Sequence, residues 1–137
     1  HCSATREGCT LTSEALEAEH RRRGFRTTGY HYYIRRDGTV LGTRSLELPG
    51  AHCRGHNKYS IGICYEGGLD ARGNPKDTRT PEQRSALHLL VYQLLQQFRN
   101  ARVCGHRDLS PDLDGDGTVE PWEWVKQCPC FEVSKEF

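Results

Sequence analysis

His1 opens the run His1-Cys2-Ser3-Ala4-Thr5, His106 lies in Gly105-His106-Arg107-Asp108, and Cys128 in Lys126-Gln127-Cys128-Pro129. Two imidazoles and one thiolate, far apart in the chain but able to converge, make the ligand count of a catalytic zinc: three protein donors and a fourth position left to water. Cys130 is a rival thiol two residues further on. A second group of donors is acidic. Asp112, Asp114, Asp116, Gly117, Val119 and Glu123 stand at positions 1, 3, 5, 6, 8 and 12 of an EF-hand calcium loop, with the Thr118 carbonyl at position 7. Leu109-Ser110-Pro111 breaks any incoming helix, so a polar Asp/Gly turn is the competing reading. An ion in this loop would order the connection between His106 and Cys128.

These residues need a scaffold to bring them together. Thr12 to Arg23 has helix-forming composition, with Gly24 where a left-handed C-cap residue belongs. Tyr30 to Arg35 and Thr39 to Arg44 are aromatic and β-branched runs joined by Asp37-Gly38, a hairpin signal. Tyr59 to Glu66 reads as a further strand, its Ser60-Ile61-Gly62-Ile63-Cys64 centre too apolar for a surface. Leu69 to Thr78 is a solvated loop. Thr80 and Gln83 then form a capping-box pattern with Pro81 at the first helical position, and Leu87, Leu90, Val91, Leu94, Leu95 and Phe98 follow at helical spacing, predicting a helix about five turns long. Ala101 to Cys104 is expected as a last strand delivering His106, and Pro121 to Lys126 as a short helix delivering Cys128. The sum is an α/β chain, one domain over residues 1–137, with a central mixed β-sheet flanked by helices.

Composition sets bounds on function. The 137 residues are 35% hydrophobic, enough for one domain with a core of its own. Nineteen Lys and Arg against 18 Asp and Glu give a net charge of +1, so no global field recruits nucleic acid or an anionic membrane. No stretch approaches the roughly 20 apolar residues of a membrane span, and no basic and apolar leader reads as a signal peptide. Seven cysteines are an odd number, which excludes a complete disulfide framework. Cys64 and Cys104, each in an apolar run, are expected as small buried hydrophobes, and Cys2 and Cys9 are close enough for a bridge.

The order of motifs, HCSAT, then GYH with the hairpin RRDGTV, then GAH, SIGIC, a long helix, GHRD and KxCPxF, resembles the zinc-dependent N-acetylmuramoyl-L-alanine amidases of phage endolysins, relatives of the animal peptidoglycan recognition proteins. The resemblance runs from residue 1 to about residue 133. It implies His1, His106 and Cys128 as zinc ligands, with Cys128 preferred to Cys130 because the ligand of the KxCP pattern precedes the proline. Two neutral imidazoles and one thiolate leave one positive charge on the assembly, enough to bring a bound water toward a pKa of about 7 while the ion polarises an amide carbonyl. Tyr30 and Lys126 match the positions that assist catalysis in the family; a phenol and an ammonium can donate to a developing oxyanion. His52 and Asn57, with Arg54 beside them, fall where the family lines its substrate groove. His20, His31 and His88 lie outside the ligand motifs and read as structural.

The activity implied is zinc-dependent hydrolysis of the amide between N-acetylmuramic acid and L-alanine of the peptidoglycan stem, by a monomer acting at the bacterial cell wall. The alternative is a receptor of the same fold that binds the stem without cleaving it; a full ligand set together with Tyr30 favours the enzyme. One tension is physical. A ligand at residue 1 frays unless its backbone is tied down.

Overall fold

The computed structural model describes residues 1–137. Its elements in chain order are β1 (Thr5–Arg6), α1 (Ser13–Arg22), β2 (Tyr32–Ile34), β3 (Val40–Gly42), β4 (Ile63–Tyr65), β5 (Gly68–Leu69) and α2 (Pro81–Gln97), followed by short 3-10 turns. The hairpin forms as its Asp-Gly pair predicts: Gly38 takes φ +85°, and β2 pairs antiparallel with β3. The other edge of β2 pairs parallel with β4, so the sheet order is β3-β2-β4 and the sheet is mixed.

The outer edge of β4 is taken by the start of the chain. Tyr65 N–H donates to the His1 carbonyl at 3.0 Å, Ser3 N–H donates to the Tyr65 carbonyl at 3.0 Å, and β1 continues the alignment by pairing parallel with β5. This pairing prevents the fraying expected of residue 1. The strand expected at residues 101–104 does not form: residues 1–3 lie along β4, and 101–104 pair with no strand. Cys104 is accordingly exposed, whereas Cys64 at the sheet centre is fully buried.

Alternation along the strands sends neighbouring side chains to opposite faces. Ile34 and Tyr65 pack with Leu87, Leu90 and Val91 of α2, and with Phe131 and Val133. Tyr33 and Cys64 pack on the other face with Leu16 of α1. The sheet is thus sandwiched between two helices, and the capping box expected at the start of α2 forms. Thr12 Oγ1 accepts from Ala15 N–H, and Thr80 and Gln83 form the reciprocal capping box. Gln83 does more than cap: fully buried, its amide donates to the carbonyls of Ile34 and Glu66 and fastens α2 to β2 and to the end of β4.

Two other elements are shorter than expected. Residues 57–59 form a 3-10 turn and only Ile63–Tyr65 of the 59–66 run is strand. The 121–126 segment is a single 3-10 turn, Pro121–Glu123, so Cys128 is carried by irregular backbone. Beneath that backbone Arg107 is buried, stacked 4.0 Å over the Trp124 ring and paired with Glu132 at 2.9 Å.

Candidate metal centre

The sheet edge fixes the first donor. His1, held against β4, turns its Nδ1 toward the Cys128 sulfur at 3.6 Å and lies with its ring centroid 4.6 Å from that of His106. The donor atoms of His1, His106 and Cys128 all fall within 4.8 Å of one another. A tetrahedral zinc at the usual Zn–N and Zn–S distances holds N and S about 3.6 Å apart, so the donor set and its spacing fit that ion. Cys128 and His106 are in turn locked together by a backbone hydrogen bond, Arg107 N–H to the Cys128 carbonyl at 2.9 Å. His106 starts a 3-10 turn whose Asp108 carboxylate accepts the Gly105 N–H at 2.6 Å.

Cys128 is poised rather than ionised. Hydrogen bonding to the Cys2 thiol, and after it burial, pushes its pKa up to about 12, so without a metal it carries its proton. The Cys2 N–H points at the sulfur from 3.3 Å, a donor suited to a thiolate. Cys130 faces elsewhere. Its sulfur lies 3.3 Å from the Gly68 carbonyl and 3.9 Å from the Cys2 sulfur, outside the group formed with the histidines. Cys2 therefore has Cys128 and Cys130, and not the exposed Cys9, as its neighbouring thiols.

Tyr30 packs against the same imidazole, its ring centroid 5.2 Å from that of His1. Burial first, then the neighbouring Cys64, Cys128 and Cys2, push its phenol pKa well up, so it stays a neutral donor. Lys126 is exposed and lines a cleft of about 440 Å³ together with Arg54, Asn57 and His106. A second cavity of about 660 Å³, with Leu48 and Tyr59 on its wall, meets the first at His52, Cys53 and His106. His106 thus sits where a cationic cleft and a more apolar one join, and His1 lines the apolar one.

His52 is turned inward. Its Nδ1 lies 3.0 Å from His1 Nε2 and its Nε2 lies 3.4 Å from Ser60 Oγ, while burial, more than its neighbours, pulls its pKa down to about 4. Asn57 spends its side-chain oxygen on the backbone N–H groups of His52 and Cys53, at 2.8 and 2.9 Å, which leaves only its amide N–H₂ to face the groove. The inward link from His52 to His1 escapes sequence reading, since nothing in the spacing of residues 1 and 52 shows it.

The histidines read as structural behave in two ways. His31 is buried, taking Gly62 N–H on Nδ1 and facing the Leu48 carbonyl with Nε2. His20 is buried, taking Gly29 N–H. His88 is a surface residue stacked on Phe137.

The acidic loop gathers Asp112, Asp114 and Glu123, and separately Asp114, Asp116 and Glu120. Glu123 is occupied by the backbone N–H groups of Leu113 and Glu120, and no helix enters the loop. Calcium, expected from the spacing, finds no support in the structure, since the Glu123 carboxylate is already taken by backbone N–H groups. The bracing of His106 against Cys128, assigned to that loop from sequence, is supplied directly by the Arg107–Cys128 backbone bond.

Comparison with known proteins agrees with this geometry. Residues 1–129 match the N-acetylmuramoyl-L-alanine amidase family, and the chain belongs to it. It is 35% identical over 135 residues to the endolysin of Enterobacteria phage K11, spanning 98% of this chain and 80% of that one. An uncharacterized protein of Haemophilus influenzae is 47% identical over 97 residues, 71% of this chain and 84% of its own. Among solved structures, the N-acetylmuramoyl-L-alanine amidase LysC of Clostridium intestinale superposes with a TM-score of 0.70 at 27% identity, covering 90% of this chain and 76% of LysC. Insect peptidoglycan-recognition proteins match over a smaller part of the chain. The fold and the enzyme class are those of an N-acetylmuramoyl-L-alanine amidase.

Proposed function

We propose that this chain hydrolyses the amide bond between N-acetylmuramic acid and L-alanine of the peptidoglycan stem, as a zinc enzyme with His1, His106 and Cys128 as ligands. The observation that carries the reading is the convergence of these three donors, from residues 1, 106 and 128, at zinc spacing. Zinc held there supplies the Lewis acidity that activates water and polarises the scissile carbonyl.

The chain's own residues do the rest. Tyr30, neutral and beside His1, donates its hydroxyl to the oxygen that gains charge as the carbonyl is attacked. Lys126 and Arg54 give the outer cleft positive charge, suited to the carboxylates of a stem peptide. Leu48 and Tyr59 form the apolar wall on the other side of the site, against which a sugar face can stack. Because residues 1–137 carry both helices, the sheet and the whole donor set, we read them as one catalytic domain. No helix is long and apolar enough to cross a membrane.

The receptor reading differs in a measurable way. Purified peptidoglycan incubated with the protein should release new L-alanine amino termini, a chelator should stop the release, and zinc should restore it. Binding to peptidoglycan with no new amino termini at any zinc level would leave the receptor.

A further inference from the structure

The contact between His1 and His52 is one link of a hydrogen-bonded chain whose direction is fixed at its far end. Ser60 Oγ lies 2.7 Å from the His56 carbonyl oxygen, 3.4 Å from His52 Nε2, and His52 Nδ1 lies 3.0 Å from His1 Nε2. A carbonyl can only accept, so the single hydroxyl proton of Ser60 is committed to it. Ser60 Oγ must then accept, which places a proton on His52 Nε2. An uncharged imidazole carries one N–H, so His52 Nδ1 is a lone pair and receives the N–H of His1 Nε2. What is left at His1 is a lone pair on Nδ1, the atom 3.6 Å from the Cys128 sulfur.

The surroundings of His52 hold this arrangement in place. A Cβ at Gly50 would come 2.3 Å from His52 Cδ2, and one at Gly62 would come 2.4 Å from the same atom, so only glycine at both positions leaves room for the ring. Asn57 pins the backbone of His52 and Cys53. Both ring nitrogens of His52 are thereby engaged inside the protein, and neither is free for the groove.

We propose that His52 is a positioning residue that sets the tautomer of His1: the His56 carbonyl, through Ser60 and His52, keeps Nε2 of His1 protonated and Nδ1 free for the metal before any metal arrives. This rests on His1, His106 and Cys128 being the zinc ligands. Partners that take up the second N–H of a ligating histidine typically change metal affinity by about 10- to 100-fold when removed.

The test uses zinc-free protein with 15N-labelled histidine, at mildly alkaline pH where imidazoles are neutral, with His1→Gln to assign the His1 signals. Long-range 1H–15N correlations should show His1 protonated on Nε2. His52→Leu should give a mixture of His1 tautomers and a zinc affinity, by chelator competition, about tenfold or more weaker. His52→Gln, which offers an acceptor to His1 and a donor to Ser60, should restore both. Ser60→Ala, a change too small to threaten folding, should shift the tautomer balance in the same direction as His52→Leu. His1 protonated on Nδ1 in the wild-type protein, or an unchanged tautomer in Ser60→Ala, would overturn the proposal, as would equal zinc affinity in His52→Leu. Retention of zinc by Cys128→Ser would instead count against the ligand set, which keeps the two failures apart.

Discussion

The sulfur of Cys128 stands 3.6 Å from Nδ1 of His1, a contact between residues 127 apart in the chain. Two backbone pairings produce it: residues 1–3 lie along β4, and Arg107 N–H holds the Cys128 carbonyl. Cys130 shares the same segment but turns its sulfur to the Gly68 carbonyl. Cys128→Ser should therefore bind no zinc at stoichiometric level, while Cys130→Ser should bind about one ion per chain. Metal analysis of the two purified variants decides it, and equal zinc content in both would refute the assignment.

Tyr30 lies against His1 without belonging to the donor group. Tyr30→Phe keeps the ring and its packing, so zinc content and thermal stability should hold. Turnover on peptidoglycan should fall by about 10²-fold or more if the hydroxyl acts on the transition state. Wild-type turnover in this variant would return Tyr30 to a packing role.

Lys126 is exposed on the cleft it shares with Arg54. If it touches the reacting carbonyl oxygen, Lys126→Ala lowers kcat and kcat/KM together; if it only attracts stem carboxylates, it raises KM and leaves kcat unchanged. Arg54→Ala, on the outer part of the cleft, should show the second pattern. A drop in kcat for Arg54→Ala comparable to that for Lys126→Ala would show that the cleft does not divide binding from catalysis in this way.

Acid should destabilise the fold in two steps. Burial, more than the nearby Arg23, depresses the pKa of His20, whose Nδ1 must stay unprotonated to accept Gly29 N–H. A group depressed in the folded state lends stability in full above its unfolded value, near 6.5 for histidine, and loses it as pH falls through the folded value. Asp77 and Glu136 clamp the buried Arg79, which lies 3.2 Å from the centroid of the Phe131 ring. The pKa of Asp77 is lowered by hydrogen bonding to Arg79 and its charge, against the opposing effect of burial, and that of Glu136 by its hydrogen bond to Arg79. Their contribution is full above about 4 and lost below it. Denaturant midpoints should decline modestly from pH 7 to 5, where the depressed His52 contributes beside His20, and steeply below 4, with His20→Gln reducing the first step. The same decline between pH 7 and 5 in His20→Gln as in the wild type would exclude the His20 step.

Elements governed by neighbours in sequence were legible there. The α2 start follows from Thr80, Pro81 and Gln83 because a capping box is closed by three adjacent residues, and the β2–β3 turn follows from Asp37-Gly38 because its φ is a property of glycine. The identities of His1, His106 and Cys128 were legible as motifs, since a ligand's chemistry belongs to its side chain. Their meeting point depends on contacts no local pattern records. Residues 1–3 win the free edge of β4, which anchors His1, while residues 101–104 pair with no strand and leave Cys104 exposed. The same holds for His52, which short-range reading assigns to the groove and the fold turns inward to His1, because its place is set by two glycines and a serine packed around its ring. Sequence alone determined which donors exist and which segments are helix or hairpin; the tertiary structure decided which donors meet and which way each ring faces, because that geometry is fixed by pairings between segments distant in the chain.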